Sequence, residues 1–273
     1  MTYLDRPAPS KGAPWAHNSF GASVHNALAG WWRLAREDRT VPAVGKLLER
    51  GWIIEGYADS AQSARQLSRA RLMVDRYVGT LDPDNEPAGV ERTVATKTEL
   101  IAFSGRIDRL DDRPADPARP GEARQALQPG IRGADRDLVV VDYKTGRMPL
   151  SDEDARSSFT LALYALAASR VLRRPCTTVE LHHLPTGKVA RWEHTPQALD
   201  RQLRRAEDIA MECSAADERF RAGDVGAEAL DAVFPPTPSG GCGWCDFRAH
   251  CPEGQLASQV RQPWDGLADE DGS

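Results

Sequence analysis

Apolar and polar positions change their period along the chain, and the changes mark out its elements. Between Ala22 and Arg36, the residues His25, Leu28, Trp32 and Ala35 recur at helical spacing and predict an amphipathic helix. Val44 to Gly51 and Ala61 to Val78 predict two more helices. Gly79, Pro83 and Pro87 close this helical region. Residues 89–95 and 99–110 then read as paired strands. Residues 111–136 are rich in Asp, Arg, Pro, Gly and Ala and predict a long hairpin connection. Val139, Val140 and Val141 read as a buried central strand, broken at Gly146. A hairpin reverses the chain, so the strand end carrying Asp108 is expected near the start of the valine strand. Meeting Asp142 would need a strand offset or a bend.

The second half alternates more regularly. Ser151 with Asp154 forms a capping-box signature ahead of a helix expected to run to about Arg173. Residues 178–184 and 189–194 predict strands joined by the turn Pro185-Thr186-Gly187-Lys188. Strand, helix, strand in this order implies a right-handed crossover with parallel pairing. Thr195-Pro196 supplies a capping hydroxyl and a proline for the first helical position of a long helix ending near Ala222. Its charges, Arg201, Arg204, Arg205, Glu207 and Asp208, read as a solvated face. The pattern as a whole is that of an α/β fold.

The chain has 273 residues, 41% of them hydrophobic, enough for a substantial core. No apolar run approaches the roughly 20 residues that span a bilayer, so no membrane association is expected. Met1 to Asn18 lacks the apolar core of a signal peptide, which makes a cytoplasmic protein the default expectation. The net charge of −5 and a pI near 5.7 argue against a passive nucleic-acid coat but are compatible with a nuclease. Arginine far outnumbers lysine; this suits phosphate contacts and equally fits a GC-rich genome. Cys242, Cys245 and Cys251 cluster near the C-terminus among five cysteines, a poor disulfide framework and a fair metal or cluster site. Cys213 is expected to be a packed thiol inside the long helix.

Candidate chemistry centres on the end of the valine strand. Side chains alternate along a strand, so Asp142 and Lys144 share one face and Tyr143 takes the other. Asp108 and Asp142 could hold Mg2+, a hard ion that takes a few carboxylates with water and phosphate. Bound metal makes a water more acidic, and Lys144 could orient that water or neutralise the phosphate. His25, taken alone, reads as a partly buried histidine bonded to a backbone carbonyl. Three thiolates interleaved with Gly241 and Gly243 suit a soft metal.

The ordered set formed by the His25 segment, Gly-Arg-Ile-Asp108-Arg, Val-Val-Asp142-Tyr-Lys144-Thr-Gly, Leu-Ala-Leu-Tyr164-Ala and Cys-x2-Cys-x5-Cys resembles the RecB-type exonucleases of the PD-(D/E)XK nuclease superfamily, of the actinobacterial kind. The resemblance covers about residues 20–255. It implies a restriction-endonuclease-like core, a mixed sheet flanked by helices, and metal-dependent cleavage of DNA in repair or recombination. It implies Asp108, Asp142 and Lys144 as catalytic residues. It implies His25, Asp108, Asp142 and the Tyr143 carbonyl as ligands of Mg2+ or Mn2+. Glu91 and Tyr164 rank below these.

The resemblance further implies a 4Fe–4S cluster on Cys242, Cys245 and Cys251. Such a cluster needs four ligands, and the family's fourth cysteine precedes the histidine motif; here no cysteine precedes Cys176. A start upstream of Met1, substitution by Cys176 or Cys213, zinc in place of the cluster, or no cluster at all are the alternatives. Thr160 stands where relatives commonly carry glutamine. No Gly-x4-Gly-Lys-Ser/Thr phosphate loop occurs, so ATP-driven unwinding would come from a helicase partner. The expected organisation is a mobile segment at 1–20, a nuclease domain at 21–256 and a disordered acidic tail at 257–273. Within the domain, 111–136 is the long loop and 240–253 the cysteine motif. The competing reading is a catalytically inactive DNA-binding scaffold with a vestigial site.

Overall fold

The computed structural model describes residues 14–115, 136–222 and 232–267. They fall into two compact units. One comprises Phe20–Ile53 and Ala64–Glu207; the other draws on Met1–Ser19, Ile54–Ser63 and Asp208–Ser273.

In chain order the elements are α1 (Ala16–Trp32), α2 (Val41–Arg50), α3 (Ser60–Val78), β1 (Gly89–Lys97), β2 (Ala102–Pro114) and β3 (Arg136–Lys144). Then come α4 (Asp152–Ser157), α5 (Phe159–Leu172), β4 (Cys176–His183), β5 (Lys188–Glu193), α6 (Pro196–Arg221) and α7 (Pro252–Ala257). The sheet runs β1-β2-β3-β4-β5. Only β3 and β4 are parallel, as the crossover predicts. This is a mixed sheet flanked by helices.

The core lies between the sheet and α5. Val94, Ile107, Leu138, Val140, Val179 and Leu181 pack with Leu161, Ala162, Ala165 and Leu166. The small residues of α5 let its backbone approach the sheet closely. Gly105 of β2 serves the same end, because a Cβ there would occupy the place of the Tyr164 ring.

Several elements differ in extent from their sequence signals. Residues 16–20, expected in a mobile lead, open α1, where Ala16 and Phe20 are buried. The helix expected to run from 151 to 173 is two helices. Ser158 is extended between them (φ −66°, ψ 102°), and its hydroxyl accepts from the Leu161 N–H to cap the second. The capping box of Ser151 and Asp154 is present on the first. The hairpin is longer than the apolar pattern indicates. Strand β2 continues through Asp111, Asp112 and Arg113 because their charges are paired across the sheet: Asp112 with Arg136 and Arg174, Arg113 with Glu180. Residues 116–135 of the expected long loop lie outside the described residues.

That extension creates the feature that positions the site. Strand β2 pairs with β3 only from Arg109↔Val141 to Pro114↔Arg136. Before Arg109, β2 pairs with β1 alone, while Asp142 to Lys144 of β3 pair only with β4. The sheet therefore forks, and continuing the register sets Asp108 opposite Asp142 at the crotch. Side-chain alternation slips there too: Phe103 and Ile107 reach the α5 core with one parity, Leu110 with the other. On β1, Glu91 lies between the pairs Val90↔Arg109 and Arg92↔Ile107 and adopts φ +48°. That left-handed conformation costs a non-glycine residue about 1–2 kcal/mol.

In the second unit, the N–H of Ala16 donates to the Pro263 carbonyl at 2.8 Å. Trp15 meets Trp244 edge-on at 4.9 Å, and the Arg261 guanidinium stacks over the Trp244 ring. Residues 257–267, expected within a disordered tail, thus make ordered contacts, with an aromatic ring rather than an aliphatic run as their anchor. Residues 268–273 lie outside the described residues.

Candidate metal centre

The fork gathers the acidic residues. His25, on the helix face of α1 that looks toward the sheet, sets its Nδ1 3.3 Å from Asp108 Oδ1. Its partner is therefore a carboxylate and not the backbone carbonyl that the residue alone suggests. Ligand atoms of His25, Glu91 and Asp108 all lie within 4.8 Å of one another, the one such group of three among the described residues. Glu91 reaches this position through its left-handed backbone, and Arg106 Nε holds its carboxylate at 2.8 Å. Backbone strain of this kind gathers at functional sites. A residue ranked as secondary from sequence is thus at the centre of the cluster.

Asp142 and Lys144 share a face, as alternation requires, with Lys144 Nζ 2.7 Å from Asp142 Oδ2. They open onto a groove of about 380 Å³ lined by Leu150, Asp154, Ser158, Thr160, Leu161 and Leu181. Tyr143 points the other way and is buried. Its N–H donates to Asp108 Oδ2 at 2.8 Å, across the fork where the β2–β3 ladder has stopped. Tyr164 packs its ring over Gly105 and against the α5 core. A larger cavity of about 910 Å³ lies on the opposite face, over Arg109, Asp111 and Arg113.

The electrostatics fit a cation site. Burial by itself would depress the His25 imidazole; the bond to Asp108 and the charges of Asp108, Asp142 and Glu91 outweigh it and raise the pKa. Burial pushes the Asp142 carboxyl above the usual range, Lys144 opposes the shift, and Asp108 adds to it. Crowded acids in low dielectric are what a bound cation relieves. One imidazole and two or three carboxylates suit Mg2+ or Mn2+.

The cysteines form a different kind of site. Cys242 and Cys251 lie against the same glycine, Gly254. The Ser239 N–H donates to Cys242 Sγ and the Gly254 N–H to Cys251 Sγ, each at 3.3 Å. A tetrahedral Zn2+ with Zn–S of about 2.3 Å would draw its sulfurs to about 3.8 Å apart. Among the described residues, the three sulfurs are not gathered as a set within 4.8 Å. With three thiolates, Cys242, Cys245 and Cys251 do not by themselves complete a four-ligand site. Cys176 is buried in β4 among the apolar residues that pack with α5, and burial pushes its thiol up. Cys213, expected to be packed, is exposed on α6, whose buried residues Leu199 and Leu203 lie near its start.

A forked mixed sheet with an acidic cluster at the crotch, and a lysine two residues after the strand-end aspartate, defines the class of PD-(D/E)XK metal-dependent phosphodiesterase cores. The family model described as the PD-(D/E)XK nuclease superfamily matches residues 1–119 and 131–252, and the chain belongs to that superfamily. No curated protein sequence is detectably similar to it. Among the described residues, no helix is long and apolar enough to cross a membrane.

Proposed function

We propose that the chain is a Mg2+- or Mn2+-dependent deoxyribonuclease of the RecB type, an exonuclease acting in DNA repair or recombination, with a helicase partner supplying any unwinding. The observation that carries this reading is the gathering of His25, Glu91 and Asp108 within 4.8 Å beside the Asp142–Lys144 pair. His25 Nδ1 and the carboxylates of Glu91, Asp108 and Asp142 would hold the metal. The Tyr143 N–H points across the fork to Asp108, and in an extended strand the carbonyl of the same residue points the same way, which supports that carbonyl as a further ligand. Divalent metal bound there supplies charge neutralisation at the phosphate and a more acidic water. Lys144 Nζ, beside Asp142, would orient an attacking water and counter charge developing on the phosphoryl oxygens. The groove along Leu150, Ser158 and Thr160 would receive the strand being cut. Cys242, Cys245 and Cys251 would serve as thiolate ligands of an iron–sulfur cluster whose fourth ligand lies outside the three.

The test is degradation of end-labelled single- and double-stranded DNA with Mg2+ or Mn2+. Activity should vanish in Asp142→Ala and Lys144→Ala while both variants remain folded. Wild-type activity in both purified variants would refute the proposal. A folded wild type that binds DNA and cuts none of these substrates would favour the scaffold reading.

A further inference from the structure

Behind the fork, on the face away from the Asp142 groove, six side chains close a hydrogen-bonded ring. Arg109 grips both oxygens of Asp111, at 2.7 and 3.1 Å, and its Nη1 donates to the Tyr77 hydroxyl at 3.0 Å. The Tyr77 hydroxyl meets His182 Nδ1 at 2.7 Å, and His182 Nε2 meets Glu180 Oε2 at 2.9 Å. Arg113 grips both oxygens of Glu180, at 2.6 and 2.7 Å, and returns to Asp111 Oδ2 at 2.8 Å. With the proton on Nε2 of His182, every donor faces an acceptor: Arg109 to Tyr77, Tyr77 to His182, His182 to Glu180. The ring joins β2, β4 and α3 and passes over β3, which lies between the two strands.

Arg109, Glu180 and His182 are each less than a tenth exposed. Well-packed apolar residues in their place would often be as stabilising or more so. What an apolar patch would not supply is directional alignment at the crotch. Arg109 follows Asp108, and its Nη1 also donates to the Tyr143 hydroxyl at 3.2 Å. Tyr143 in turn gives its N–H to Asp108 and sits between Asp142 and Lys144. A second, smaller circuit therefore runs from Asp108 through the Tyr143 backbone and side chain to Arg109 and back along β2. The His25 ring abuts Tyr143 edge-on at 5.7 Å.

We propose that Arg109, Tyr77 and Tyr143 are positioning residues, and that the ring fixes the separation of Asp108 from Asp142 and so sets the affinity of the centre for a divalent cation. This rests on the nuclease reading of the same centre. Outer partners of metal ligands are worth about 10- to 100-fold in affinity or activity, and that is the loss expected here.

The test is calorimetric Mn2+ titration of the purified full chain, with DNA cleavage measured in parallel. Tyr143→Phe and Tyr77→Phe each remove one hydroxyl and leave the ring carbons in place. Both should weaken Mn2+ binding about 10-fold or more. Leu199→Ala, on α6 in the core that the sheet forms with α5, serves as the comparison. It should lower Tm by at least as much and leave Mn2+ affinity within twofold of wild type. Wild-type Mn2+ affinity in a folded Tyr143→Phe or Tyr77→Phe, with wild-type protein binding Mn2+ and cutting DNA, overturns the positioning role alone. A wild-type chain that neither binds Mn2+ nor cuts DNA overturns the nuclease reading and this inference with it.

Discussion

Glu180→Gln tests the buried ring by a route independent of activity. Glu180 is 4% exposed and is held by the two-pronged contact of Arg113 and by His182, with Arg191 Nε at 3.8 Å. Burial would raise its carboxyl; the bonds from His182 and Arg113 outweigh burial and lower it from 4.5 to about 2. A carboxylate depressed in the folded state stabilises the fold fully above its unfolded pKa, and that stability is lost as pH falls toward the folded value. A shift of about 2.5 units corresponds to about 3 kcal/mol at pH 7. The same relation leaves about 2 kcal/mol at pH 3.5 and close to nothing below about pH 2. The glutamine keeps the shape and removes the charge. Urea unfolding of both proteins should show a difference of about 3 kcal/mol that is flat from pH 7 to about 5 and shrinks below about 4.5. A difference under about 1 kcal/mol at pH 7, or one that does not change with pH, would refute the claim that the ring holds an ionised Glu180.

Two further outcomes probe the packing and the thiols. Gly105→Ala should cost about 1–3 kcal/mol in urea unfolding, since its methyl would meet the Tyr164 ring, and the double variant with Tyr164→Ala should not show that clash as an added cost. With a thiol reagent on the native chain, the exposed Cys213 should react promptly and Cys176 only on unfolding; prompt reaction of Cys176 would contradict its burial in β4.

Much of the site was legible because its residues sit in runs with strong local signals. Three valines mark a strand with both faces covered, Gly146 ends it, and alternation alone places Asp142 and Lys144 together. Ser151 and Asp154 announce a helix start by side chains that act within one turn. The failures share a cause: they depend on partners distant in sequence. Asp111-Asp112-Arg113 looks like a loop until Arg174 and Glu180, some sixty residues later, pair with it across the sheet. Without that extension Asp108 belongs near the start of β3; with it, Asp108 faces Asp142. Glu91 ranks low from sequence because nothing in Gly-Val-Glu-Arg signals the left-handed backbone it adopts between the pairs Val90↔Arg109 and Arg92↔Ile107. Tyr77 and Arg109 were invisible as a pair, since only the folded sheet brings them together.

The fork explains why these residues occupy one place. Where β2 leaves β3, backbone groups lose their ladder partners, and buried ones must be satisfied some other way. Asp108 answers for one of them by accepting the Tyr143 N–H. Its remaining oxygen faces His25. The same carboxylate therefore closes the sheet and opens the cluster. The slip in alternation sends Asp108 toward α1 while its neighbour Arg109 is drawn into the ring on the covered side. A regular β2 would set Ile107 and Arg109 on one face, exposing the apolar core to a guanidinium. The irregular strand keeps Ile107 and Leu110 together in the core and frees the residues between them for the cluster and the ring. Between β1 and β2 the regular pairing lapses at Glu91 and Asp108, and both of them face the candidate metal centre.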